Sequence, residues 1–100
     1  MKTLEEIRQE MKFGMEVSQN AGHEERCGRL AGLAKAELLY EQTIGKLDGL
    51  FENAPAIRKS SLRAERAEFC KLIDEEIDKL SGKTGAFSNG MREAFEWVIA

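Results

Sequence analysis

His23 and Cys27 stand four residues apart, the spacing at which two side chains on one helix face could share a metal ion or pass a proton. A zinc site needs three or four ligands, and this chain offers one histidine, two cysteines (Cys27 and Cys70) and no Cys-x-x-Cys pair. A thiol nucleophile would also need a group to orient its base and donors for an oxyanion. His23 is instead followed by Glu24 and Glu25, beside a break marked by Asn20 and Gly22, which is a solvated setting. The expectation is a surface histidine and two reduced, half-buried thiols, with no metal, cofactor or disulfide required.

Gly82-Lys83-Thr84 has the ending of a phosphate-binding loop. That motif needs a glycine where Ile77 stands and a strand before it, whereas the preceding residues have helical periodicity. A polar loop between helices is expected. Asp74, Glu75, Glu76 and Asp78 cluster, but on successive turns of one amphipathic helix. Paired acids that cleave glycosides face each other across a cleft. No residue is therefore assigned a catalytic role, and the chain is expected not to be an enzyme.

The remaining polar residues suit recognition. Arg58, Lys59, Arg63 and Arg66 form a basic stretch with Glu65 as its only acid. Glu68, Asp74, Glu75, Glu76 and Asp78 follow, opposed up to that point only by Lys71. Segregated charge of this kind favours registration and fast association. The same residues could equally pair along their own helix. Tyr40 and Trp97 are the only residues of their kinds. Both types are common at interface hot spots and at the edges of cores. The candidate partner-binding residues are thus Arg58, Lys59, Arg63 and Arg66, the acids Glu68, Asp74, Glu75 and Asp78, and the aromatics Tyr40 and Trp97.

The elements that must hold them are helices. Leu, Ala, Glu, Lys and Arg dominate, Val17 and Val98 are the only valines, and Pro55 is the only proline. Thr3-Leu4-Glu5-Glu6 has the form of a capping box, after which Leu4, Ile7, Met11 and Met15 recur at helical steps. Phe13 and Val17 widen that apolar surface. One stripe then runs through Cys27, Leu30, Ala31, Ala34 and Leu38, and another through Leu33, Ala36, Tyr40, Ile44, Leu47 and Phe51. Gly28 and Gly32, and Gly45 and Gly49, are pairs four apart, which predicts close approach of another backbone. Leu62, Phe69, Leu72, Ile73, Ile77 and Leu80 mark a third helix, whose regular part Ser60 or Ser61 could cap. Phe87, Met91, Ala94, Phe95 and Val98 mark an inward stripe on a last one. The expected fold is all-α, a single domain over 1–100 forming an irregular bundle of helices at roughly 3–19, 23–52, 57–80 and 86–99, with the second supplying the central face.

With 15 basic against 18 acidic residues the net charge is −3, so the electrostatic attraction on which DNA binding is normally built is weak. Direct nucleic-acid binding is not expected. An acidic surface that mimics DNA fits the sign of the charge, though its magnitude is small. No apolar run approaches the roughly 20 residues of a membrane span. The acidic first turn is unlike a signal peptide, so a cytoplasmic protein is expected.

The 100-residue acidic helical chain and its tail, GAFSNGMREAFEWVI over residues 85–99, resemble phage or mobile-element accessory proteins. Among these the chain is most similar to the small all-helical anti-CRISPR proteins of the type I-F class. That resemblance implies stoichiometric inhibition in the host bacterial cytoplasm: a CRISPR effector complex is bound and its access to target DNA is blocked. The class has no diagnostic motif, so no site residue is carried over from it. Two other functions fit the same residues. One is a structural or regulatory phage protein that self-associates through its glycine-rich helix. The other is a small DNA-binding regulator, for which only 58–66 is basic enough.

Overall fold

The structure, a computed structural model, describes residues 1–16, 22–47 and 53–100, with the side chains of residues 14–16 excepted. It is an irregular bundle of four helices: α1 (Leu4–Glu16), α2 (His23–Gln42), α3 (Pro55–Lys79) and α4 (Ala86–Ile99), with a 3-10 turn at Gly45–Leu47. The described residues contain no strand. All four helices contribute to one apolar cluster, in which Ile7, Leu33, Phe69, Ile73, Phe95 and Val98 are fully buried. The molecule measures 50 × 30 × 18 Å.

The helix starts follow local chemistry. Thr3 Oγ1 accepts from the Glu6 amide at 3.1 Å, and the Thr3 amide donates to the Glu6 carboxylate at 3.4 Å. This is the expected capping box, which satisfies amides that a helix leaves without partners. Pro55 opens α3, where its missing N–H costs nothing. Neither Ser60 nor Ser61 caps that helix, because both lie inside it.

The second helix is shorter than its periodicity suggests. It ends at Gln42, where Thr43 folds back: its hydroxyl donates to the Leu39 carbonyl at 2.8 Å, and its amide bonds to the carbonyls of Leu39 and Tyr40. A side chain that competes for helix carbonyls, with a glycine two residues on, weakens the helix where it ends, ahead of residue 52. Ile44 and Leu47 are still buried, but through the 3-10 turn. Phe51, Gly49 and the expected helical stretch 48–52 lie outside the described residues, as do Val17 and the expected end of the first helix.

Of the two stripes on α2, the Leu33 stripe is the inner one. Ala34 and Leu38 of the other are exposed, Leu38 by 48%. The most extensive helix–helix contact is α2 against α4. Gly28 abuts the Phe87 carbonyl, Gly90 abuts the Glu25 carbonyl, and a Cβ on Gly32 would stand 2.9 Å from that of Ala94. The expected close approach at Gly28 and Gly32 is therefore met by α4. At Gly45 a Cβ would meet nothing nearer than 3.5 Å, so no such approach occurs there. Phe87 departs from its expected place in the core, because its backbone is what fills the space over Gly28 and its ring is 45% exposed.

Candidate partner-binding grooves

The first turn of α1 separates two grooves, since Thr3 and Glu5 line both. The first arises where α2 stops short. Thr43 turns the chain so that Ile44 and Leu47 form a floor beneath Leu62 of α3. Tyr40 stands beside them with its ring edge against Phe69, centroids 5.4 Å apart at 73°. Arg58 and Arg66 flank this space of about 360 Å³. Leu62 and Arg66 continue into an adjoining hollow of about 220 Å³, which Lys59 and Arg63 also line.

The four cations fall together because α3 begins outside the core, at Pro55, and buries no residue before Phe69. Residues 55–60 are all exposed, Ile57 by 56%. Among the described residues, no ion pair holds Arg58, Lys59, Arg63 or Arg66. Glu65, the one acid in that stretch, is joined at 3.1 Å to Lys46 of the 3-10 turn. The pair adds little stability at this exposure.

The second groove, about 660 Å³, lies along α1 and has the opposite sign. Phe13, 62% exposed, and Trp97 supply its apolar surface, and Glu5, Glu6 and Glu10 its charge. Trp97 is half-buried and carries two cations on its ring, Lys2 Nζ at 5.2 Å and the Arg29 guanidinium at 6.0 Å from the centroid. Arg29 also pairs with Glu10 at 3.2 Å.

The structure thus brings Tyr40 to the four basic residues and sets Trp97 apart from them. Glu68, Asp74, Glu75 and Asp78 are exposed along α3 and line neither groove. Glu76 pairs with Lys79 at 3.1 Å within the helix.

Cys27 Sγ lies 3.7 Å from His23 Nε2, and Arg26 approaches His23 Nδ1 at 3.4 Å. Both cysteines are free thiols. Among the described residues, no group of three or more His, Cys, Asp or Glu is placed to hold an ion. No described helix is long and apolar enough to cross a membrane. Gly82-Lys83-Thr84 lies in the turn between α3 and α4. That turn is fastened by Arg92, which donates to the carbonyls of Leu80 at 2.8 Å and Lys83 at 3.3 Å. Sequence reasoning missed Arg92 and the half-exposed Phe13 groove. The only signal for either was a charge and an aromatic outside the main stripes.

Comparison with family models, with curated proteins and with solved structures found no match to this chain.

Proposed function

We propose that this chain works by stoichiometric binding to a protein partner, without catalysis, and that the partner is a bacterial CRISPR surveillance complex whose access to target DNA it blocks. The observation that carries binding is the outer half of α3. Four cations and Ile57 stand out from the core there, beside a groove with an aliphatic floor and polar walls. Among the described residues these cations have no ion-pair partner, and grooves with apolar floors and charged rims are a common form of peptide recognition. The resemblance to type I-F anti-CRISPR proteins supplies the partner. In that setting the acids along α3, Glu68, Asp74, Glu75 and Asp78, oppose lysines and arginines that otherwise hold phosphates. The host cytoplasm is the compartment this reading requires.

Of the glycines through which a second copy would bind, Gly28 and Gly32 are already covered by α4, Gly45 meets only ordinary contacts, and Gly49 lies outside the described residues. A heterologous partner, which the basic groove favours, is the reading we advance.

The test is affinity capture with the full chain from a lysate containing a type I-F effector complex, followed by a target-DNA binding assay on the captured complex. Recovery of an effector that no longer binds its target is the expected result. Recovery of the chain alone favours self-association. Recovery of an effector with DNA binding intact leaves the partner and removes the mechanism.

A further inference from the structure

We propose that the basic groove beside α3 is a receptor for an acidic amphipathic segment of a partner protein. The inference rests on the protein-binding reading above and gives it a site and a ligand chemistry. The floor is aliphatic, formed by Leu4, Ile44, Leu47 and Leu62 with the ring of Tyr40 beside them. The rim on the α3 side is cationic through Arg58 and Arg66. Lys59 and Arg63 extend it over the adjoining hollow. In a chain of net charge −3 this is a local reversal of sign.

Charge complementarity decides the occupant. A phosphodiester backbone would satisfy the rim and leave the aliphatic floor unused. An amphipathic segment uses both. Apolar residues at i, i+3 and i+4 seat on the floor, while carboxylates on the flank meet the guanidinium groups in two-pronged hydrogen bonds. Glu5 adds polarity. It lines the groove at its α1 end, where a carboxylate of the ligand would be repelled. The acids of the segment must therefore lie towards α3, which sets the flank it turns to the rim.

The probe is a fluorescein-labelled helical peptide with leucine at every third or fourth position and glutamate between. It is titrated into the full chain and followed by anisotropy. Its comparators have serine for leucine or lysine for glutamate, and a DNA duplex of equal length carries the same dye. The acidic amphipathic peptide is expected to bind, more weakly as salt rises, and in preference to all three comparators. The paired variant Arg58→Glu, Arg66→Glu should weaken it at least about tenfold, the scale set by losing one charge-assisted contact. Lys59→Glu with Arg63→Glu should weaken it less. All these side chains are exposed, and an unchanged circular dichroism melt checks that the variants fold. The proposal is overturned if the peptide does not bind, if the Arg58/Arg66 variant binds it equally, or if the duplex binds more tightly. Capture of an effector complex by that variant, undiminished, removes this groove and leaves the protein-binding reading standing.

Discussion

The backbone at Gly90 of α4 lies directly against the Glu25 carbonyl of α2, with no room between them for a Cβ. Gly28 meets the Phe87 carbonyl in the same way. Glycine in a helix interior costs about 1 kcal/mol relative to alanine. An alanine at either position would recover that amount and force two helix backbones apart. Overpacking typically costs about 1–3 kcal/mol, and here the obstructing atoms are backbone that cannot swing aside. Gly28→Ala and Gly90→Ala are each expected to destabilise the fold by about 1–2 kcal/mol net in urea denaturation. Gly45→Ala meets only ordinary contacts, so it should be neutral or stabilising by up to about 1 kcal/mol. Equal effects at Gly45 and Gly90 would contradict this packing.

Thr43 bonds the last carbonyls of α2 through both its amide and its hydroxyl, and the hydroxyl's part separates from the shape of the side chain. Thr43→Val keeps the branched form and removes the bond to the Leu39 carbonyl. The residue is 5% exposed, so water cannot replace the bond. A loss of about 0.5–1.5 kcal/mol is expected, with much of it restored in Thr43→Ser. Because Ile44 and Leu47 take their positions from this turn, Thr43→Val should also shift the amide resonances of both. Unperturbed resonances there would show that the turn is held by something else.

What could be read in the sequence was local. Thr3 and Glu6 make their cap within four residues, and Phe69, Ile73 and Leu80 lie on one face of their own helix. The glycine spacing announced a close neighbour without saying which. Phe87 was misplaced because its burial depends on Gly28, remote in sequence. Similarly, the four cations were legible as a stretch, while their union with Tyr40 and Leu62 arises only when the turn after α2 folds under α3. Arg92 could not be found by motif, since its acceptors are backbone carbonyls, which carry no residue signature.

Arg92 gives a prediction of its own. Its two carbonyl partners bracket the turn that contains Gly82, and Asn89 Oδ1 holds the other guanidinium nitrogen at 3.1 Å. Charged hydrogen bonds contribute about 1.5–3 kcal/mol when protected from water, and the partial exposure of this site reduces that towards about 1 kcal/mol. Arg92→Met should therefore lower stability modestly. The larger effect should be local, with faster hydrogen exchange at the Lys83 amide, which bonds to Leu80 in the same turn, and quicker proteolysis between α3 and α4. Unchanged exchange at Lys83 would mean that the turn holds without the arginine.

Tyr40 and Trp97 should part company in binding, because they stand in grooves of opposite charge. Tyr40 packs edge-on against Phe69, so Tyr40→Ala removes a ring from the core margin as well as from the basic groove. A loss of roughly 3 kcal/mol in stability is expected, and that loss alone would obscure any effect on affinity. Tyr40→Phe keeps the ring contact and removes only the hydroxyl, so it isolates the contribution of the polar tip. Trp97→Ala removes the stacked Lys2 and Arg29 contacts, each worth about 0.5–1 kcal/mol at such exposure. Its own apolar contacts are lost with them. If the basic groove is the docking site, Trp97→Ala should leave affinity for an acidic amphipathic peptide within about twofold. If the acidic groove is the anchor instead, that substitution should cost at least about 2 kcal/mol of partner binding, and the Arg58/Arg66 variant should cost little. Calorimetric titration of the captured partner with Tyr40→Phe, Trp97→Ala and the Arg58/Arg66 variant, at temperatures well below each melt, distinguishes the two grooves directly.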